Sequence, residues 1–323
     1  MQNNKTRALV EGAIFASITA VLGIIIGFVP VMGALIYIWP TPIVIVGFRN
    51  GLKVSVLSAI ASLVIISVFT TPINGISLFL ILGLPGIVMG YLLKKNMKPS
   101  LVILITAVVL AVIMTLSLIA SYYAFAPSIM GNLGDIRLEI NRAVEEATNT
   151  YRLLGIDEEI VVQVKEQTNQ LIELFIKLIP YLVLTSSILF IYINFKFTRL
   201  ILKRIGYNTD DVKRFKEWRL PERLSKPLMI LLVAVLIINM RNIEYLGIVI
   251  NLLQLIMFVY TVLGLSVALY YLDILAAKYE LPKAIKTIAV VIGFLTLGSF
   301  LPAVGLMDSV MDLRKWASKP KEV

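Results

Sequence analysis

The chain contains no cysteine and no histidine. The first absence removes disulfides, thiol nucleophiles and thiolate metal sites. The second removes imidazole acid–base chemistry, and together they exclude most zinc, haem and iron–sulfur centres. Charge is scarce as well, at 15% of residues. No glycine-rich phosphate loop ends in Lys-Ser or Lys-Thr, so ATP is not bound in that way. No basic, aromatic-interleaved module stands out, which argues against nucleic acid despite a net charge of +10. These gaps predict no enzyme activity, no catalytic residue, no cofactor and no metal. Asp210-Asp211 and the Asp308/Asp312 pair come nearest to a Mg²⁺ site. Each is only two acids beside basic residues, and helix-end aspartates read first as caps or solvated charges.

What fills the chain instead is apolar sequence, 59% of the 323 residues, with a mean hydropathy of +0.89. Ala8 to Val29 and Pro99 to Phe125 are runs long enough to cross a bilayer, which takes about 20 mostly apolar residues. The fold class is all-α: a polytopic helical membrane protein with an external helical hairpin. Lys5 and Arg7 precede the first span and set a cytoplasmic N-terminus by the positive-inside rule. The first run is too long for a signal-peptide core and stays as a transmembrane helix. Arg49 to Lys53, then Lys94, Lys95 and Lys98, mark the same side again. Between them, Val31 to Phe48 is interrupted by Trp39-Pro40-Thr41-Pro42. Two prolines there break the helix or leave it partly unwound. Thr70 to Gly75 reads as an external turn, and Tyr122 and Tyr123 as part of an interfacial belt.

Alternation then places 127–177 outside, and its charge agrees, with nine acids and five bases. Ile136, Ile140, Val144 and Tyr151 recur at helical spacing, as do Ile160, Val164, Leu171 and Phe175, on either side of a turn at Gly155. The two stripes pack on each other or present a face to a partner. A sixth span follows, Leu178 to Phe197. Lys196 to Lys226 carries ten bases and four acids and reads as a basic interfacial segment, with Trp218 and Arg219 at headgroup level. Three further runs, Pro227 to Met240, Tyr245 to Leu272 and Ala284 to Leu301, make nine crossings. The basic tail, with Arg314, Lys315, Lys319 and Lys321, looks cytoplasmic, which an odd count forbids. Eight or nine transmembrane helices therefore fit, eight if one of the weak segments, Pro227 to Met240 or Val31 to Phe48, is re-entrant. The organisation is a six-helix unit at 1–205 with its hairpin at 127–177, a basic linker at 206–226, C-terminal membrane helices at 227–306 and a polar tail at 307–323.

Gly12, Ala16 and Ala20 share one stripe of the first span, and Gly86 and Gly90 share one of the fourth. Small residues at this spacing let a second helix approach closely, from this chain or from a partner subunit. Glu11 reads as a paired or solvated interfacial carboxylate. Asn194 lies near the inner end of the sixth span. Asn239, Arg241, Asn242 and Glu244 surround an outer turn, Asp273 sits at a helix end, and Asn251 and Gln254 suit interhelical hydrogen bonds. The broken segment is the best small-molecule site, because unwound backbone at membrane depth is tolerated where it lines a cavity or is buried in protein. Tyr37, Trp39, Thr41, Thr70, Thr71 and Asn74 gather at the ends and breaks of the early spans. Aromatic faces with a few polar groups suit an organic ligand.

The early Thr-Arg-Ala-Leu, Ala16 and Ala20, the Gly51 turn and Gly83/Gly86/Gly90 resemble the substrate-binding S components of energy-coupling-factor transporters. Over its whole length the chain resembles the YybS-like family of bacterial membrane proteins, through Phe215-x-x-Trp218-Arg219-Leu220-Pro221 and Gly305-Leu306-x-Asp308-x-x-x-Asp312-Leu313-Arg314. These resemblances imply a multi-pass protein of the bacterial plasma membrane with an S-component-like core and an added C-terminal unit. The partners they imply are the lipid bilayer, a transmembrane coupling subunit with its ATPases and a small-molecule ligand. The rival expectation is a membrane scaffold for cell-envelope or sporulation partners.

Overall fold

The computed structural model describes residues 2–129, 132–240 and 246–318. Arg241, Asn242, Glu244, Lys319 and Lys321 lie outside them, as do the side chains of Tyr122, Tyr123, Ile136 and Ile140. Every regular element among the described residues is helical, and eight segments are long and apolar enough to cross a membrane. The chain divides into two compact units, 1–173 with 182–212 and 174–181 with 213–323.

Unit 1 opens with α1 (Gln2–Phe28), which Pro30 ends. Pro30–Tyr37 is a 3₁₀ helix, Ile38 to Pro40 form turns, and α2 (Thr41–Asn50) starts after them. The expected break is therefore real, and it divides one apolar segment into two short helices. α3 (Leu52–Phe69) leaves Gly51, whose φ of 92° is closed to most L-residues. The fourth apolar segment is interrupted too: α4 (Pro72–Leu78) passes through a π-helical turn at Phe79–Gly83 into α5 (Leu84–Lys94). α6 (Pro99–Ile129) follows.

The small-residue stripes are covered inside this unit. A β-carbon at Gly12 would stand 2.7 Å from Val54 of α3, and Ser58 donates to the Gly12 carbonyl at 2.9 Å. Ala16 and Ala20 are buried. Gly90 faces the Val44 carbonyl and Gly47, and Gly86 faces Pro40. Surfaces closed in this way are not open to a partner subunit. Glu11 pairs with Arg49 at 2.6 Å and accepts from Asn50 at 3.0 Å, tying α1 to the end of α2.

The hairpin is formed by α7 (Asn132–Leu153) and α8 (Glu158–Lys177). Val161 and Thr148 are buried, and Val144 and Val164 partly so, with Lys165 and Glu145 paired at 3.6 Å across the arms. The expected stripe thus splits. Val144 and Val164 are covered, whereas Tyr151, Ile160, Leu171 and Phe175 are exposed. α9 (Ile179–Arg204) then buries Ser187, Ile191, Asn194, Phe195, Thr198 and Leu202 along one face.

In unit 2, Phe215–Glu217 is a short 3₁₀ turn, followed by α10 (Glu222–Met240), α11 (Leu246–Lys278), α12 (Lys283–Leu297), a 3₁₀ turn at Gly298–Phe300, α13 (Leu301–Met311) and α14 (Leu313–Ser318). The last apolar segment does not run straight. Lys286 near the start of α12 pairs with Asp273 of α11, and Tyr271 donates to the Leu313 carbonyl just beyond α13 at 2.6 Å. Gly298, Ser299 and Pro302 lie instead against Gln254 to Thr261, toward the other end of α11. α12 and α13 are therefore the two arms of a helical hairpin. At 15 and 11 residues, they rise about 22 and 16 Å, short of an about 30 Å hydrocarbon core. α13 lies flush on α11, where β-carbons at Gly264 and Gly305 would run into the carbonyls of Leu301 and Tyr260. The reversal returns the chain to the end it left. The tail accordingly meets the 213–219 segment through Arg314 and Arg219.

Candidate functional site

The break between the 3₁₀ helix and α2 exposes backbone groups that no helix satisfies, and α9 supplies partners. Asn194 donates to the Tyr37 carbonyl at 3.0 Å and to Thr41 Oγ1 at 3.2 Å, and Thr198 Oγ1 lies 3.3 Å from Thr41 Oγ1. Asn194, Thr198 and Thr41 are all buried. Asn194 and Thr198 are four residues apart on α9, which puts both on one face. That i, i+4 polar pair inside an apolar span was a readable signal. Sequence reasoning placed Asn194 at a span end and did not join it to the break.

Two buried polar atoms here have no hydrogen-bond partner among the described residues: Asn194 Oδ1 and Trp39 Nε1. An unmet polar group in an apolar interior costs about 1–3 kcal/mol. Trp39 is only 1% exposed. Its indole lies against Gly23 of α1, where a β-carbon would come within 3.0 Å of Nε1 and closer still to Ile66. It is a core side chain and does not face lipid. Tyr37 is partly exposed and packs on Phe190 with ring centroids 5.3 Å apart.

Thr70, Thr71 and Asn74 have local duties. Thr71 caps α4 by accepting from the Asn74 N–H at 3.3 Å, and Thr70 donates to the Ile66 carbonyl at 2.8 Å. A β-carbon at Gly27 would touch Thr70 at 3.3 Å, so Thr70 stands one helical turn along α1 from the Trp39 contact. The structure thus joins Tyr37 and Thr41 to Asn194 and Thr198, with Trp39 at the same break, and leaves Thr71 and Asn74 at the less buried start of α4. The second interruption lies against the first: α5 packs on α2, and a β-carbon at Gly86 would stand 3.4 Å from the Pro40 carbonyl oxygen.

Unit 2 holds a charged counterpart. Arg314 is buried, donates to the carbonyls of Lys216 at 2.7 Å and Trp218 at 2.8 Å and to Ser266 at 3.2 Å, and pairs with Asp308 at 3.2 Å. Burial pulls the Arg314 pKa below its ordinary value, while the Asp308 carboxylate opposes that shift. Hydrogen bonding from Lys315 holds the Asp312 carboxyl below the usual range, with Arg219 adding to the effect. Asp308 is therefore half of a buried ion pair, not the solvated charge expected at a helix end. Asp211 is held by Lys196 and Arg199, each at 2.9 Å. Asn251 bridges helices, accepting from the Tyr181 N–H at 2.8 Å and donating to the Lys177 carbonyl at 2.6 Å. Gln254 instead lines a cleft of about 420 Å³ with Tyr181, Thr261 and Ser299 at the α12–α13 turn, which sequence reasoning did not find.

A family described as "Predicted membrane protein (DUF2232)" matches residues 17–312, and the chain belongs to it. The chain is 25% identical over 324 residues to "Uncharacterized protein YybS" of Bacillus subtilis (strain 168), covering 96% of this chain and 98% of that protein. No solved structure matches.

Proposed function

We propose that this member of the DUF2232 membrane-protein family is a transport-related protein that binds a small molecule within unit 1, in the manner of an energy-coupling-factor S component. The observation that carries the reading is the pair of interrupted helices stacked at their breaks. Their polar junction, Tyr37, Thr41, Asn194 and Thr198, keeps unmet hydrogen-bonding capacity at Asn194 Oδ1, and the indole N–H of Trp39, which lies between Tyr37 and Thr41 along the chain, is unmet as well. Interrupted helices at membrane depth recur where transporters hold their substrates, and π-helical turns recur at functional sites. The protein sits in the bacterial plasma membrane with its N-terminus cytoplasmic, and a coupling subunit with ATPases supplies the energy.

Native mass spectrometry of gently extracted protein tests this. A small molecule should co-purify, and Trp39→Phe, which deletes the indole N–H and keeps an aromatic ring, should weaken its retention by about tenfold with the fold intact. A wild-type protein that carries no small molecule under any extraction would move the second reading ahead. That reading is a scaffold for cell-envelope or sporulation partners. It draws on the hairpin turn, where Leu153 and Leu154 are 88% and 71% exposed.

A further inference from the structure

α11, α12 and α13 enclose a cleft of about 240 Å³ whose lining has no polar side chain; Leu269, Leu272, Val290, Gly293, Phe294 and Val304 are among its walls. It is larger than the apolar cavity of about 150 Å³ that takes up benzene. Gly293 is its most informative residue. A glycine inside a helix costs about 1 kcal/mol relative to alanine. At Gly264 and Gly305 that cost is offset by close backbone contact, but a β-carbon at Gly293 would meet nothing within 4 Å. No packing within the protein explains this glycine. It widens the cleft, and glycine is the residue that lets a ligand approach backbone closely.

One end of the cleft is charged. Asp273 follows Leu272, and Lys286 lies four residues, about 6 Å of rise, before Val290. The Asp273 carboxylate binds Lys216 at 2.7 Å and also Lys286. Two ammonium groups share one carboxylate, so a positive charge is left over. Each ammonium has three donors, and Lys216 and Lys286 keep about a third of their side-chain surface exposed, 34% and 33%. The two acids at the end of α13 are engaged elsewhere: Asp308 serves Arg314, and Asp312 serves Arg219 and Lys315.

We propose that this cleft is a binding site for an anionic phospholipid. One acyl chain lies along Gly293 between α12 and α11, and the headgroup phosphate meets Lys286 and Lys216. A lining without polar side chains fits an alkyl chain and gives a polar solute nothing to bond. The surplus cation selects an anionic headgroup over a zwitterionic one. The inference concerns unit 2 and does not depend on the site proposed in unit 1.

The test is native mass spectrometry of the full chain, delipidated and then titrated with phosphatidylglycerol or phosphatidylcholine in mixed micelles, with thermal unfolding read in parallel. Wild-type protein should retain phosphatidylglycerol about tenfold better than phosphatidylcholine. Lys286→Gln keeps the Lys216–Asp273 pair and removes the surplus charge, so it should reduce that preference several-fold while phosphatidylcholine retention stays the same. Gly293→Leu fills the cleft from a position where a β-carbon meets nothing within 4 Å. It should abolish retention of both lipids at an unchanged or raised unfolding temperature. Equal retention of the two lipids by wild type, or full retention by a folded Gly293→Leu protein, overturns the proposal. Should Gly293→Leu fail to fold, an unaltered preference in Lys286→Gln overturns it equally.

Discussion

In unit 1 the irregular backbone at Tyr37 is held by an amide that two hydroxyls flank, all uncharged; in unit 2 the irregular segment at Lys216 to Trp218 is held by a guanidinium. Both solve one problem, since backbone outside a helix must find partners or pay desolvation. The chemistry differs with position. The Tyr37 junction lies within an apolar segment, where a charge costs several kcal/mol. The Arg314 junction lies just beyond the last apolar segment, where a buried cation is tolerable once Asp308 balances it. The contrast predicts that unit 1 relies on many modest interactions and unit 2 on one strong, breakable knot.

The largest expected effect is all-or-none and bears on the knot's location. Since the chain has no native cysteine, Lys213→Cys and Lys315→Cys can be labelled singly with a membrane-impermeant maleimide. Both should react from the same side, because Arg314 ties the tail to the 213–219 segment. Were the last apolar segment a single straight crossing, after one crossing each by α10 and α11, the two would label from opposite sides. Asn149→Cys, in the hairpin, should label from the side opposite to both.

Next in size is the knot itself. Arg314→Leu leaves Asp308 buried without its partner and frees two carbonyls, a loss of about 3–5 kcal/mol. Unfolding in detergent should shift accordingly, and the Asp308→Leu, Arg314→Leu double variant should recover much of it. Asn194→Leu in unit 1 removes two hydrogen bonds and also one unmet oxygen, so it should cost only about 1–2 kcal/mol. If Asn194→Leu proves as damaging as Arg314→Leu, the contrast between the two junctions is wrong.

Much of this arrangement was legible along the chain. The interruption at Pro40 and Pro42 announces itself because proline lacks an N–H, and the hairpin does so through its acidic balance and paired stripes. The reversal at Gly298 was not legible, since hydropathy runs on evenly through Ala284–Met311 and Gly-Ser-Phe carries no charge to mark a turn. The burial of Trp39 was not legible, because tryptophan also favours interfaces and only the packed position of Gly23 and Ile66 shows that its indole is enclosed. Asp308 and Arg314 looked like surface charge because their pairing depends on where α13 lies against α11, which no local pattern encodes. The polar cluster at Tyr37 was half visible: the break could be read, but its partners on α9 are over 150 residues away.

The smallest effect should come from the hairpin turn, whose residues belong to neither junction. Arg152 donates to Glu158 across the Gly155 turn at 2.8 Å through Nε, with a second contact at 2.5 Å through Nη2. Hydrogen bonding from Arg152 holds the Glu158 carboxyl below the usual carboxylate range. A carboxylate whose folded pKa is lowered favours the folded form fully above its unfolded value, about 4.3. That contribution is lost as pH falls through the lower folded value. Both side chains are exposed, so the effect is local and modest. Hydrogen exchange at the α7 and α8 ends should therefore accelerate, after correction for the intrinsic pH dependence, as pH drops below about 4. In Glu158→Gln the acceleration should be absent and the ends already loosened at neutral pH. An identical acid response in wild type and Glu158→Gln would assign it to other carboxylates and leave the turn held by Gly155 and its backbone hydrogen bonds alone.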